Sequence, residues 1–343
     1  MHLITKAIYQ IKQKGHIINE VEEESLKIAI LLHDIGHGPF SHALENSIVK
    51  DFSHEELSVL FMKELNKKFN GKLSLAIKIF QNTYHKKFLH QLVSSQLDMD
   101  RLDYLKRDSF FSGVVEGNIG TERIINMLDV HNDRLVIEEK GIYSIEKFLI
   151  ARRLMYWQVY LHKTVVSAEN MLIQILKRAK FLITNNVIIF TTPALKFLLQ
   201  NNFINKDLHK NSNLLKNFAE LDDFDIYTCL KYWKNSNDFV LSNLSKRLIN
   251  RELLKIRIVK EPILQEEKNK LIVSFSKKNN CSKEEAKYFI FSHKVSNSTY
   301  NVEKSNINIL MKSGDIVDIT LASDQFNIDA LNKTVDKYFL CYP

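Results

Sequence analysis

The sequence has little glycine, proline or cysteine. Only 9 glycines and 4 prolines occur in 343 residues, and so few helix breakers favour a helix-rich fold with long elements. The 3 cysteines, Cys229, Cys281 and Cys341, lie far apart without metal-ligand spacing, which argues against a disulfide framework and fits a reducing cytoplasm. No uncharged apolar run approaches the ~18 residues that span a bilayer, and lysines interrupt the start, where a secretory signal would lie. We therefore expect a cytoplasmic protein without a membrane segment.

The remaining composition is that of an ordinary globular protein. Hydrophobic residues make up 45% and charged residues 26%, and the chain is long enough for one large domain and a smaller one. The formal net charge is +8, which is typical of proteins that bind a polyanion such as nucleic acid or nucleotide phosphates. Because the lysines are scattered rather than clustered, general composition explains most of this charge better.

The most informative stretch is residues 31–42, which places three histidines and an aspartate in an apolar run. His33 and His37 are four residues apart, so a helix would carry both on one face, with Asp34 projecting beside them. The Gly-Pro pair that follows should break the helix and turn His42 back towards the same point. An unpaired buried carboxylate is costly, so this pattern predicts a site for a divalent metal rather than ordinary core histidines.

Two further blocks extend the pattern, residues 96–108 and, more weakly, residues 152–163. Together with the His-Asp stretch, they resemble the HD-domain phosphohydrolases, and within them the deoxynucleoside triphosphate triphosphohydrolase branch. The likeness covers about the first half of the chain clearly and the rest faintly. It implies a mostly α fold with one divalent metal ion (Mn, Fe, Mg, Zn, Co or Ni), a deoxynucleotide substrate and a homo-oligomeric assembly. The expected reaction releases the deoxynucleoside and inorganic triphosphate.

The resemblance also implies residue roles. The metal ligands would be His33, Asp34 and Asp100, with one more histidine in an Arg-Phe-x-His-Ser-x-Gly stretch that would lie ahead of Met1. Acid–base catalysis would fall to His54, oriented by Glu55, and less surely to His37 and His42. From spacing alone, His54 reads as a first-turn histidine on a solvated helix, and only the resemblance gives it a catalytic role.

Substrate contacts follow from the second and third blocks. The expected substrate-binding residues are Arg101, Tyr104, Asp108, Arg152, Tyr156, Tyr160 and Lys163. The cations would bind phosphates, and the Tyr160 ring would exclude a 2′-hydroxyl and so select deoxyribose. At Tyr156 some relatives carry histidine, and ordinary aromatic packing is an equal alternative there. Asp103 and Arg107, spaced i,i+4, are predicted to form a surface ion pair.

Periodicity and turn residues predict the elements. Helices are expected at 3–15, 22–35, 41–48, from 54 after a Ser53–Glu56 capping box, around 97–108, at 145–179 and within 190–250. A hairpin is expected at 135–144, strands at 256–259, 288–291, 307–310 and 316–320 with a turn at Ser313-Gly314, and helices near 266–278 and 327–334. Together with the resemblance, these elements imply an HD-domain helical bundle over residues 1–251 and a small α+β domain over residues 252–343, for assembly or regulation.

Two alternatives remain at this stage. HD proteins also cleave monophosphates, cyclic dinucleotides and guanosine tetraphosphate, and a substrate panel separates these activities. The other alternative is a scaffold that binds nucleotides or nucleic acid without hydrolysis. Low metal content would favour such a scaffold, and a steep salt dependence of single-strand binding would favour nucleic acid as the partner.

Overall fold

The computed structural model describes residues 1–41, 53–203, 212–297, 300, 306–324 and 334–343. The chain forms two compact units. Unit 1 comprises Met1–Ile35, Ser58–Leu161 and Asn297–Val335, and unit 2 comprises Gly36–Leu57, His162–Ser296 and Asp336–Pro343. Each unit is built from three segments of the chain. The division into a domain of residues 1–251 and a domain of residues 252–343 stays a prediction.

The described residues are mostly helical, which confirms the predicted fold class. The helices are α1 His2–Gln13, α2 Glu20–Leu32, α3 His54–Lys68, α4 Ser74–Phe80, α5 Lys87–Val93, α6 Met99–Ser112, α7 Thr121–Asn126, α8 Ile142–Met155, α9 Lys163–Thr184, α10 Pro193–Gln200, α11 Ser212–Glu220, α12 Asp223–Trp233, α13 Phe239–Ile249, α14 Gln265–Asn279, α15 Lys283–Ala286 and α16 Ile319–Ala322. The strands are β1 Leu128–His131, β2 Arg134–Glu138, β3 Lys255–Val259, β4 Phe291–Asn297, β5 Asn308–Leu310, β6 Ile316–Asp318 and β7 Val335–Tyr342. None of the described helices is long and apolar enough to cross a membrane.

Unit 1 is a helical core with a small sheet. The predicted first helix is confirmed as α1, whose Ile4, Ile8 and Ile11 are buried in this core. Helix α2 begins at an Asn19 capping box with Glu22, which fixes its start because each side chain satisfies the other's backbone N–H. The predicted helix α6 is also confirmed. The predicted metal ligands His33 and Asp34 directly follow the end of α2, and Asp100 lies at the start of α6.

The end of α2 corrects one prediction. The helix stops at Leu32, and the Ile35 N–H turns back to the Leu32 carbonyl at 3.2 Å. His37 lies outside regular helix, so the idea that His33 and His37 share a helical face is wrong. Glycine has low helix propensity and proline disfavours helix in the residue before it, and two glycines and a proline follow Ile35 within four residues.

The sheet of unit 1 has the order β1-β2-β5-β6, with β2 and β5 parallel and the other pairs antiparallel. The predicted hairpin at 135–144 is wrong. The hairpin joins β1 to β2 through Asn132 and Asp133, whose φ angles of 49° and 57° suit a type I′ turn. Residues from Ile142 instead begin α8.

The predicted helix over 145–179 is also interrupted. After α8, residues Tyr156–Tyr160 form a π-helical turn, closed by the Leu161 N–H donating to the Tyr156 carbonyl at 2.8 Å. Helix α9 then starts afresh at Lys163 with His162 as its cap. A π-turn inserts one residue into the helical register, so the i, i+4, i+8 stripe expected for Arg152, Tyr156 and Tyr160 does not run straight.

Unit 2 contains α9 to α15 and a sheet of order β3-β7-β4. Strand β3 and helix α14 are confirmed, whereas residues 288–290 form a turn and β4 starts only at Phe291. Strand β7, which pairs antiparallel with β3, was not predicted. Strands β5 and β6 and the Gly314 turn (φ 91°) are confirmed within unit 1. The helices expected at 41–48 and 327–334 lie largely or wholly outside the described residues.

Candidate active site

The end of α2 fixes the orientation of the His33 ring. His33 is the C-terminal cap of the helix, and its Nδ1 lies 2.8 Å from the Ile30 carbonyl oxygen. Because a carbonyl only accepts, Nδ1 carries the proton and donates it. The Nε2 atom therefore faces away from the helix, which is the usual arrangement of a histidine that binds a metal.

Two carboxylates face His33 Nε2. Asp34 Oδ2 lies 3.2 Å from His33 Nε2, and Asp100 Oδ1 lies 3.5 Å from the same atom. Asp100 stands in the first turn of α6, whose start is fixed because the Asp98 side chain accepts the Arg101 N–H at 2.8 Å. The ligand atoms of His33, Asp34 and Asp100 all lie within 4.8 Å of one another. The structure thus brings together the three predicted metal ligands.

The electrostatics of this cluster call for a cation. His33 Nε2 is buried and makes no hydrogen bond with the described residues, yet it faces two anionic oxygens. Burial by itself lowers the pKa of His33, but contact with Asp100 and the charge of Asp34 outweigh it, so the pKa rises to about 9. One imidazole nitrogen and two carboxylate oxygens form a donor set that fits Mn, Fe, Co, Ni and Zn alike.

A second cluster lies further along unit 1 and contains two arginines. Arg101 Nε donates to the Ser95 carbonyl at 2.7 Å and to Asp98 at 3.2 Å. Arg152, 6% exposed, donates from Nη1 to the Gln96 side chain at 3.0 Å, while its buried Nε has no hydrogen-bond partner in the described residues. Burial and the charge of Arg101 lower the pKa of Arg152. Two guanidinium groups with one buried carboxylate leave a net positive charge, which suits a phosphate.

Aromatic residues adjoin this cluster. The Tyr160 hydroxyl donates to Asp108 Oδ2 at 2.6 Å. The Tyr160 ring packs edge-on against Tyr104 at 6.1 Å and Tyr156 at 5.4 Å between centroids. Burial and the Asp108 carboxylate raise the pKa of Tyr160, so its phenol stays protonated. The π-turn therefore places a fixed aromatic wall beside an acidic side chain.

The remaining predicted residues belong to unit 2. The rings of His37 and His54 stack at 4.0 Å with an interplanar angle of 15°, and the Ser41 hydroxyl lies 3.1 Å from His37 Nδ1. His54 begins α3 behind the predicted Ser53–Glu56 capping box, which is confirmed by bonds of 3.2 and 3.3 Å.

Three further residues complete the placement of the predicted set. Glu55 and Lys163 are exposed, each in the first turn of its helix, and His42 lies outside the described residues. In unit 1, the predicted Asp103–Arg107 surface pair is confirmed at 2.7 Å.

Sequence reasoning missed the turn that holds the two arginines. Ser95, Gln96 and Asp98 precede α6, and none was assigned a role. An aspartate just before a helix start is a capping signal, so the capping role of Asp98 could have been predicted from the sequence. Gln96 had no such signal, because its partner Arg152 is 56 residues away.

Comparisons with known proteins agree with this geometry. The HD domain model matches residues 4–108, and the model of the HD-associated region matches residues 119–187. The first range contains the His33, Asp34 and Asp100 cluster, and the second contains Arg152 and the π-turn. A phosphohydrolase from Bacteroides thetaiotaomicron VPI-5482 is 53% identical with a TM-score of 0.95, covering 99% of this chain and 85% of that chain.

Curated relatives are more distant. The uncharacterized protein YwfO of Bacillus subtilis (strain 168) is 34% identical over 242 residues, which are 68% of this chain and 53% of that protein. A deoxynucleoside triphosphate triphosphohydrolase homolog of Dictyostelium discoideum is 29% identical over 197 residues, 52% of this chain and 38% of that protein. The match thus spans about half the length of the Bacillus protein and less of the Dictyostelium protein.

Proposed function

This chain belongs to the HD-domain phosphohydrolase superfamily, and on that premise we propose that it hydrolyses deoxynucleoside triphosphates to the deoxynucleoside and inorganic triphosphate. The observation that carries the proposal is the convergence of His33, Asp34 and Asp100 within 4.8 Å, in the unit that also holds the Arg101 and Arg152 cluster. A relative named as a triphosphohydrolase supports this substrate class. We propose a homo-oligomer as the working form.

His33, Asp34 and Asp100 would hold one divalent ion. When bound, such an ion supplies Lewis acidity, which polarises a phosphate oxygen and acidifies a water for attack at neutral pH. The Ile30 carbonyl contributes by fixing the His33 tautomer, with 2.8 Å between Nδ1 and the oxygen. The ring is therefore oriented before any ion arrives.

Arg101 and Arg152 would bind the phosphates, together with Lys163. Phosphoryl transfer depends mainly on positioning and on neutralising charge. The buried Nε–H of Arg152 has no hydrogen-bond partner in the part of the chain that the structure describes, so it gains a hydrogen bond when an anion binds. This gain is larger than in water, because the side chain has already lost its solvent.

The aromatic wall would recognise the sugar. Tyr160 is held by its 2.6 Å hydrogen bond to Asp108, so its ring cannot swing away from a sugar packed against it. A ring fixed against the 2′ carbon leaves no room for a hydroxyl and selects deoxyribose by exclusion. Tyr104, Tyr156 and Asp108 would shape the rest of this pocket.

Acid–base catalysis is assigned to His54, with Glu55 orienting it and with His37 and His42 in supporting roles. An imidazole titrates near neutral pH and can move a proton to the leaving oxygen. The stacked His37–His54 pair in unit 2 supports this assignment, because two rings at 4.0 Å restrain each other's orientation.

The test is a substrate panel on the full gene product with Mn²⁺, Mg²⁺ or Co²⁺. The panel contains the four dNTPs, the matching ribonucleotides, a deoxynucleoside monophosphate, a cyclic dinucleotide and guanosine tetraphosphate. We expect release of inorganic triphosphate from dNTPs and little from ribonucleotides. Turnover confined to another substrate would overturn the proposed specificity while keeping the phosphohydrolase, and metal binding without any turnover would favour a scaffold.

A further inference from the structure

The turn before α6, residues Ser95–Asp98, holds both arginines of the second cluster. The Ser95 carbonyl and the Asp98 carboxylate accept from Arg101 Nε at 2.7 and 3.2 Å. The Gln96 side chain accepts from Arg152 Nη1 at 3.0 Å. Three of the four residues in this turn therefore accept hydrogen bonds from two guanidinium groups, which come from α6 and α8.

The Asp98 carboxylate makes its hydrogen bonds within this turn and the start of α6. Its carboxylate accepts the backbone N–H groups of Ser95 at 2.9 Å and of Arg101 at 2.8 Å, besides Arg101 Nε. The side chain is 6% exposed. A carboxylate so buried and so bonded does not bind the metal or substrate itself; it fixes the helix start that carries Asp100 and the direction of the Arg101 fork.

Gln96 is the neutral counterpart of Asp98. It is 8% exposed and accepts from Arg152, the more buried of the two arginines. A carboxylate at this position would neutralise Arg152, whereas an amide orients the guanidinium and leaves its charge in place for an anion. Glutamine therefore suits a position where the guanidinium of Arg152 must be oriented while its positive charge remains uncompensated until an anion binds.

We propose that Gln96 and Asp98 are positioning residues that pre-orient Arg152 and Arg101 for a polyphosphate. This inference rests on the proposed function for its substrate class. Preorganised donors bind more tightly because the ordering has been done before the ligand arrives. Losing the Gln96 acceptor should therefore weaken polyphosphate binding through Arg152 while leaving the metal cluster intact.

The experiment measures binding of inorganic triphosphate by calorimetry, and KM and kcat for the best dNTP, in Gln96→Met. We expect about ten-fold weaker triphosphate binding and a similar rise in KM, with kcat changed by less than about three-fold. The matched control is Gln91→Met, because the Gln91 side chain also accepts a bond, from the Leu135 N–H at 2.8 Å, but holds no arginine in the described contacts. Gln91→Met should leave triphosphate binding unchanged.

A double-mutant cycle tests whether Gln96 acts through Arg152. Gln96→Met should cost nothing further in an Arg152→Met background. Gln96→Glu should retain folding but bind triphosphate more weakly than wild type, because it neutralises the arginine. Equal losses in both backgrounds, or no loss in Gln96→Met, would overturn the inference, as would a wild-type protein that does not bind triphosphate. The binding readout is independent of turnover, so a failed dNTP assay alone contradicts the proposed function and not this inference.

Discussion

Two arginines with little exposed surface lie in contrasting surroundings, one in each unit. Arg178 in unit 2 donates from Nε and Nη2 to Asp238 at 3.0 and 2.5 Å, lies 3.7 Å from Glu285, and sits 5.1 and 5.4 Å from the Phe181 and Tyr288 rings. Arg152 in unit 1 has a neutral amide acceptor, an Nε without a hydrogen-bond partner among the described residues, and the destabilising charge of Arg101. A fold that pairs Arg178 so fully can satisfy a poorly solvated cation, and the incomplete pairing of Arg152 among the described residues therefore fits the proposed role in binding phosphate.

The same contrast holds for two aspartates on α6. Asp103 is paired with Arg107 at 2.7 Å on the surface, whereas Asp100 faces His33 and has the carboxylate of Asp34 nearby. Asp100→Asn should lower dNTP hydrolysis by more than about 100-fold, because even partners of metal ligands cost 10–100-fold when removed. Initial rates at saturating metal measure this effect. Asp103→Asn is the control and should retain near wild-type rates; equal loss in both would mean that α6 matters only as scaffold.

Substituting the two arginines should affect different properties, stability for Arg178 and triphosphate binding for Arg152. Arg178→Met leaves the partly buried Asp238 without its cation and should lower the free energy of unfolding by about 2 kcal/mol. Arg152→Met removes a charge that is incompletely paired among the described residues and should change the free energy of unfolding by less than about 1 kcal/mol, while weakening triphosphate binding by at least about ten-fold. Urea unfolding and calorimetry measure both quantities. The contrast fails if Arg152→Met proves the more destabilising of the two.

The hydrogen-bonded carboxylate of Glu22 should make the free energy of unfolding depend on pH. Burial raises the pKa of Glu22, but hydrogen bonds from Lys86, Tyr84 and the Asn19 N–H outweigh it, so the pKa is lowered. Because the folded pKa lies below the unfolded value, the stabilisation is present above pH ~4.5 and is lost as the pH falls through the folded pKa.

Glu22→Gln should therefore cost about 1–2 kcal/mol at pH 7 and progressively less below pH ~4.5. Urea unfolding between pH 3 and 7 measures the difference from wild type. Glu64, exposed and paired with Lys67, supplies the control, since Glu64→Gln should cost less than about 0.5 kcal/mol at any pH. A pH-independent loss in Glu22→Gln would show that shape, not charge, explains its effect.

Local patterns in the sequence predicted much of the fold and the grouping of His33, Asp34 and Asp100. Periodicity and caps placed α1, α2 and α6, and the His-Asp pair with Asp100 met as expected. The failures lie where geometry is not periodic. The Asn132-Asp133 turn signal was overlooked, the π-turn at Tyr156–Tyr160 leaves no mark on hydrophobic spacing, and β7 is defined by pairing with β3 far away in sequence.

The placement of Arg152 was unpredictable for a related reason. Its contact with Gln96 crosses 56 residues, and a single sequence contains no signal for a pair at that separation. Asp98 differed, because a helix cap is a local feature that spacing can show. Local sequence therefore determines the role of Asp98, whereas tertiary packing determines the position of Arg152.

The most direct test of the central claim is the stoichiometry of Mn²⁺ bound to metal-free protein, measured by calorimetry in wild type, His33→Gln and His90→Gln. His90 is the matched control, because its Nδ1 also lies 3.0 Å from a backbone carbonyl, that of Ile79. We predict one ion per chain in wild type and His90→Gln, and at least about 100-fold weaker binding in His33→Gln. Equal binding in all three proteins would contradict the assignment of His33, Asp34 and Asp100 as the metal centre.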